Sequence, residues 1–238
     1  RPGLSGRACP LQRLIYGRRK GHRLRPGRRR LLEELLPRLQ VTLPESGQID
    51  PAGLFAEPRA GLWLEIGFGG GEHLVAQAAA RPEVGLIGCE PYVSGVARAL
   101  SMIEERGLGN LRLFMDDARL LMAALPAGCL ARIFVLFPDP WPKTRHHKRR
   151  IVNPRTAAEF ARLLHPGGEL RLATDDMSYV RAMLLALRPR LELAWQARRP
   201  TDWRSRPAHW PPTRYEDKAL AAGRACAYLR FLRVEARP

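Results

Sequence analysis

Cysteine is scarce in this chain. Of 238 residues only Cys9, Cys89, Cys129 and Cys226 are cysteine, and no two stand in a Cys-x-x-Cys pair. That scatter argues against a zinc finger and against a disulfide-stapled secreted fold; it fits a reducing compartment, and a cytoplasmic location is expected. Long apolar runs are missing too. The longest, such as Ile133 to Phe137, has strand length and falls well short of the ~20 residues that cross a bilayer, so no membrane span is expected. Acidic residues are few: 23 Asp and Glu stand against 40 Lys and Arg, a net charge of +17. A field of that sign recruits polyanions, with nucleic acid as the leading partner class and an anionic membrane surface as the second.

What is present organises itself in three stretches. Residues 1 to 30 are rich in Arg, Gly and Pro, with clusters at Tyr16-Gly-Arg-Arg-Lys-Gly21 and Arg28-Arg-Arg30. They hold too few apolar residues for a core and are expected to form a mobile basic arm. A short leucine-rich helix is predicted over Leu31 to Leu39, ending near Pro44; residues 1–44 thus read as arm plus helix, and 45–238 as one α/β domain. From Gly61 onward, strand-length apolar runs (Leu62–Ile66, Gly85–Cys89, Leu111–Met115, Ile133–Phe137, Leu170–Ala173) alternate with helical stretches (Glu72–Ala80, Val93–Arg106, Ala118–Leu125, Arg155–Leu164, Met177–Leu187). This alternation predicts an α/β fold with a mostly parallel sheet covered by helices on both faces. A last alternating stretch, Ala227 to Val234, reads as a strand, and Trp195, Trp203 and Trp210 read as packing residues.

The first run leads into Glu65-Ile-Gly67-Phe-Gly69-Gly-Gly71. Glycine lets the backbone turn sharply and approach a ligand where a Cβ would collide. Gly67, Gly69 and Gly71 read GxGxG, not the GxGxxG of dinucleotide binders, and no Lys-Ser/Thr pair completes a phosphate loop. Glu90 ends the second run ~20 residues on, where an acid can accept both hydroxyls of a ribose. Asp116-Asp117 ends the third and can meet an adenine edge. An acid at each of three successive strand ends, with Glu65 just ahead of the glycines, suits a nucleoside cofactor lying across those ends.

The fourth run ends in Phe137-Pro-Asp139-Pro-Trp141-Pro-Lys143-Thr-Arg145-His146-His147-Lys148-Arg149-Arg150. Prolines on both sides stiffen the turn that projects Asp139. Trp141 offers a flat face for a base, and the following cationic run contains no acid. A fixed acid, an aromatic and a positive run together suit a flipped nucleotide whose phosphates are gripped outside the pocket. His22, His165 and His209 stand alone, so no metal site is expected.

The strand-end acids resemble those of class I S-adenosylmethionine-dependent methyltransferases, and the Pro-Asp-Pro-Trp stretch resembles the signature of the bacterial tRNA (guanine-N7-)-methyltransferases, the TrmB family. Ala173-Thr-Asp175, Thr213-Arg214-Tyr215-Glu216-Asp-Lys-Ala219 and the basic Tyr16 to Gly21 stretch are similar to the same family. The resemblance implies a Rossmann-like fold with a C-terminal antiparallel strand, S-adenosylmethionine as cofactor, and tRNA, at the variable-loop guanine 46, as substrate. It implies that Glu65, Glu90, Asp117 and Asp139 bind the cofactor, with Asp139 also the active-site residue. Lys143, Asp175 and Thr213, Arg214, Tyr215 and Glu216 would hold the substrate, and Arg145, His146, His147, Lys148, Arg149 and Arg150 would contact RNA. No obligatory protein partner is expected. Other readings stay open on the residues alone: a methyltransferase acting on another RNA, or a non-catalytic basic RNA-binding protein, which would not need acids beside a glycine turn. An NAD-type oxidoreductase fits less well, given GxGxG and no recognisable hydride-transfer site.

Guanine N7 has a free lone pair and no proton, so this chemistry asks for no general base. It asks for alignment, which is worth up to ~7–11 kcal/mol, and for negative charge near a ring that becomes cationic. Asp139 and Asp175 are expected to accept from guanine N1–H and the exocyclic amine, a donor pair that adenine lacks.

Overall fold

A computed structural model describes Tyr16, residues 23–208 and residues 210–235. The basic cluster of residues 17–22, and His22 and His209, lie outside the described residues. Helix α1 spans Pro26–Glu34 and α2 spans Leu36–Leu39. Then come β1 (Gly61–Ile66), α3 (Glu72–Ala80), β2 (Val84–Cys89), α4 (Val93–Arg106), β3 (Leu111–Phe114) and α5 (Ala118–Ala124). The chain continues through β4 (Leu130–Leu136), α6 (Pro154–Leu163), β5 (Leu164–Thr174), α7 (Met177–Leu187), β6 (Leu193–Trp195), α8 (Thr201–Arg204), α9 (Arg214–Ala221) and β7 (Ala227–Arg233).

The strands form a seven-stranded sheet ordered β3-β2-β1-β4-β5-β7-β6. The five from β3 to β5 run parallel, whereas β7 lies antiparallel between β5 and β6. Strand parity sorts the core. In β1, Leu62, Leu64 and Ile66 face α5, α6 and α7, while Trp63 faces α1 to α4. This is the helices-on-both-faces α/β architecture that the alternating runs predicted, with the ligand edge where the parallel strands end.

The N-terminal helix begins earlier than expected. Pro26 occupies its first turn, where a missing N–H costs nothing, and this draws Arg28, Arg29 and Arg30 out of the supposed arm into α1. Leu31, Leu36 and Leu39 are buried against the sheet's helical layer, and Arg30 pairs with Glu104 of α4 at 2.7 Å. Three elements were not anticipated: β6, three residues long, the single-turn α8, and α9. On the α1–α4 side, beyond the helices, the sheet carries charge. Glu169 sits among Arg132, Arg171 and Arg230 at 3.2, 2.6 and 2.6 Å. Burial, and then the nearby Arg171, bring Arg132 down to about 10. Trp210 is buried edge-on to Tyr228 and Trp195 stacks on Phe231, both as packing residues. Among the described residues no helix is long and apolar enough to cross a membrane.

Candidate functional site

The C-terminal ends of β1 to β4 open into a cleft of about 620 Å³, lined by Gly67, Gly69, Glu90, Asp117, Asp139 and Tyr215 among others. That volume lies in the range of small-molecule sites. Its floor is the glycine turn, in which Gly67 and Gly69 line the cleft and Gly71 leads into α3; the three hold φ of 75°, 58° and 85°, a region side chains rarely adopt. Two further glycine contacts fix how tightly the parts close. A Cβ on Gly95, in the first turn of α4, would lie 2.2 Å from the Gly69 carbonyl oxygen. A Cβ on Gly69 would lie 2.9 Å from the Tyr215 ring. The turn is thus pressed between the start of α4 and the start of α9.

The carboxylates divide by environment. Glu90 is buried and accepts from the backbone N–H of Gly69 (2.8 Å) and of Tyr92 (3.0 Å). Burial raises its pKa above the ordinary carboxylate value against the lowering effect of those two N–H groups; Asp139 and Glu65 raise it further. Asp117 is buried, caps α5 by accepting from the Arg119 N–H, and pairs with the Arg119 guanidinium at 3.1 Å. Asp116 lies beside it on the cleft wall and accepts from the Asp117 N–H. Asp139 is exposed at the cleft edge.

Glu65 behaves differently. It is one residue out of phase with Leu64 and Ile66, so it points to the α3 side. There it is buried and meets His73 Nδ1 at 2.7 Å, while His73 Nε2 lies 3.3 Å from Gln77. It lies beneath the turn and is not among the residues that line the cleft. Sequence reading missed His73; the signal was strand parity, which turns Glu65 toward the helix that carries His73.

The Pro-Asp-Pro turn is held in a costly conformation. Phe137 and Trp141, on either side of it, have φ of 49° and 46°, worth roughly 1–3 kcal/mol of strain each. Two anchors over-determine it. The Phe137 N–H donates to Ala173 O at 2.7 Å, and Arg150 donates through Nε to Pro140 O at 2.8 Å. Arg150 also reaches Ser178 at 2.9 Å and lies over the Tyr179 ring. It is 3% exposed, so it braces the turn from inside, and the expectation that it contacts RNA is corrected. Lys143, just before a 3₁₀ turn over Thr144–Arg149, is exposed, as are Arg145 and Lys148 on that turn, where His146 and His147 are half-buried. Arg149 and Trp141 line the cleft mouth together with Tyr16.

The Thr213 to Glu216 stretch also splits. Thr213 and Glu216 form a reciprocal capping box that starts α9. Glu216 is buried against Tyr228 and Arg206, so these two residues build the helix and do not line the cleft. The capping-box spacing was the missed signal for α9. Arg214 and Tyr215 do line the cleft. Burial, and after it Glu90, raise the Tyr215 pKa. Asp175, at the end of β5, pairs with Arg224 at 2.6 Å. Lys143, Asp175 and Gly71 are not among the cleft-lining residues. Among the described residues no three His, Cys, Asp or Glu side chains converge on a metal-binding geometry.

The cleft is mixed in charge, since Arg28, Arg98, Arg119, Arg149 and Arg214 line it as well. The strand ends around the glycine turn nevertheless put carboxylates on its rim and no phosphate-loop lysine beside it, which suits a cationic sulfonium nucleoside better than a pyrophosphate. Glu90, Asp116, Asp117 and Asp139 supply the rim, and the unfilled space above Gly67, where a Cβ would meet nothing within 4 Å, leaves room for the ligand.

Residues 59–229 match the family model described as "Putative methyltransferase". A tRNA (guanine-N(7)-)-methyltransferase of Rhodospirillum rubrum is 58% identical over 222 residues, covering 92% of this chain and 87% of that protein. Another from Paramagnetospirillum magneticum is 46% identical over 233 residues, covering 96% of each. Among solved structures, the 16S rRNA methyltransferase KamB superposes with a TM-score of 0.51 at 14% identity, over 74% of this chain and 89% of its own. The [4+2]-cyclase SpnF superposes with 0.50 at 16% identity, over 78% of each chain. These two likenesses establish the shared fold and nothing of the reaction.

Proposed function

The chain belongs to the TrmB family of bacterial tRNA (guanine-N7-)-methyltransferases, and from that premise we propose that its target is guanine 46 of the variable loop and that Asp139 orients the base. The protein is an S-adenosylmethionine-dependent enzyme that methylates N7 of guanine in tRNA. When bound, S-adenosylmethionine supplies a methyl carbon on a sulfonium sulfur; the N7 lone pair takes it as the S–C bond breaks, leaving a neutral thioether and a cationic base.

The residues of this chain then have distinct tasks. Glu90 and Asp117, fixed by backbone N–H groups and by Arg119, offer acceptors to the ribose hydroxyls and the adenine edge. Glu65 acts from below, locked by His73, adding negative potential under the turn. Asp139, and Asp175 held by Arg224, accept from guanine N1–H and the exocyclic amine, a donor pair that adenine lacks. Lys143, Arg145 and Lys148 take phosphates. The site of action is the cytoplasm.

One observation carries this reading. The strained, doubly anchored turn delivers Asp139 to the same cleft as Glu90 and the glycine turn. The test is incubation with unmodified tRNA and labelled S-adenosylmethionine, followed by borohydride and aniline treatment, which cuts RNA at 7-methylguanosine. A single cut at variable-loop guanine 46 is expected; a cut elsewhere contradicts the position, and label without any cut contradicts N7.

A further inference from the structure

Three residues at the cleft mouth form a group that the reaction as described does not yet use. The rings of Tyr16 and Trp141 meet edge to face with centroids 6.4 Å apart. The Arg149 guanidinium lies 5.2 Å from the Tyr16 centroid and 4.8 Å from that of Trp141. Its Nε is buried and has no hydrogen-bond partner among the described residues. The charged neighbours along the chain are Lys143, Arg145, Lys148 and Arg150, and His146 meets the Trp141 ring edge to face with centroids 6.0 Å apart. Arg149 therefore rests on π faces amid like charge. The left-handed backbone at Trp141 (φ 46°) aims its indole into this mouth, a strained geometry of the kind kept at working sites.

What the two rings hold is a flat, delocalised cation. The guanine that the enzyme modifies becomes one: it enters neutral and leaves with a positive imidazole ring. Aromatic faces attract the charged form through their quadrupole and gain little from charge with the neutral one. We propose that Tyr16 and Trp141 form a cation-selective platform for the target base, and that Arg149 occupies this platform until the base displaces it. The proposal rests on N7 of guanine being the acceptor. Contact with the platform strengthens as charge develops on the ring, so it favours the transition state over the incoming base, which is the condition for raising turnover. Arg149, once displaced, is free for a phosphate of the bound RNA.

Equilibrium binding of guanosine and of 7-methylguanosine to the S-adenosylhomocysteine-loaded protein tests this without tRNA, in slightly acidic buffer where the methylated base keeps its charge. The wild type is expected to prefer 7-methylguanosine by about five- to tenfold. Tyr16→Leu and Trp141→Leu bring the ratio toward one, while Tyr16→Phe, which keeps a π face, preserves it. Arg149→Ala gives opposite effects: it tightens 7-methylguanosine binding, because the competitor is gone, and weakens tRNA binding. Equal affinities for the two nucleosides in the wild type overturn the proposal, as does an Arg149→Ala protein that binds nucleoside and tRNA both more weakly. Methylation of tRNA by the same wild-type preparation is scored in parallel. Its absence tells against the N7 reading; methylation with equal nucleoside affinities tells against the platform alone.

Discussion

Replacing Gly95 with alanine tests whether the glycine turn and the Glu90 carboxylate act as one unit. In an ordinary helix this change would stabilise by about 0.5–1 kcal/mol, since glycine loses more backbone freedom on folding. Here the new Cβ would sit 2.2 Å from the Gly69 carbonyl oxygen, a backbone atom with no rotamer to escape through. Either α4 or the turn must move by about an ångström, an overpacking cost of ~1–3 kcal/mol, which outweighs the helix gain. Movement of the turn stretches the 2.8 Å bond from the Gly69 N–H to Glu90. A hydrogen bond to a charged acceptor contributes ~1.5–3 kcal/mol, so S-adenosylmethionine affinity should fall about tenfold or more. Calorimetric titration with cofactor, paired with urea unfolding, reads both effects. Gly85→Ala is the control: its Cβ would meet the Phe55 ring at 2.7 Å at the opposite end of β2, away from the cleft. It should lose comparable stability and keep cofactor affinity. A Gly95→Ala protein that binds cofactor like the wild type refutes the coupling.

Asp139→Asn should lower turnover about a hundredfold, the scale of losing one preorganised electrostatic contact, and leave tRNA affinity within a few fold; equal loss of both would contradict an orienting role. Because the Glu90 pKa is raised, mainly by burial, this carboxylate takes up a proton at a higher pH than an ordinary glutamate. Affinity for the sulfonium cofactor should therefore weaken as pH falls through that raised value, and Glu90→Gln should bind weakly with that pH dependence gone, as seen by titration across mildly acidic buffers. His73→Leu strands the buried Glu65 carboxylate, and urea unfolding should show a loss of ~1–3 kcal/mol, partly restored by adding Glu65→Gln; an unchanged midpoint rules the pairing out as a stabilising contact. Arg145→Ala and Lys148→Ala should each reduce the log–log salt slope of tRNA binding by about 0.7–0.9, whereas Arg150→Ala should chiefly destabilise the protein.

Much of this was legible in the sequence because it depends on local pattern. Helices α3, α4 and α7 fall where the apolar spacing put them, and the strand runs are right to within a few residues except β5, which starts at Leu164, six residues before the expected Leu170. The glycine turn, Glu90, Asp117 and Asp139 reach one cleft because parallel strands all end at the same edge. What the sequence hid depends on facing and partners. Nothing local distinguishes Arg149, aimed at aromatic rings, from Arg150, turned inward to hold Pro140. Thr213 and Glu216 carried a helix-start signal inside a stretch that drew attention for other reasons. Glu65 was assigned to the ligand by proximity in sequence, although its place on the pleat turns it to His73. The helix start at Pro26 was obscured by the surrounding arginines, which dominate the composition without deciding the local backbone.

The position of β7 also sets an order of assembly. Residues 227–233 are inserted between β5 and β6, so during translation β6 has no hydrogen-bonded neighbour, and β5 keeps one edge bare, until this late segment leaves the ribosome. The half of the sheet from β3 to β4 can form on a growing polypeptide, but the side that carries Asp175 and supports α9 must wait. Loss of those few residues would leave β6 and one edge of β5 without hydrogen-bonded neighbours, while strands β1 to β4, whose ends form the nucleotide cradle, would keep all of theirs.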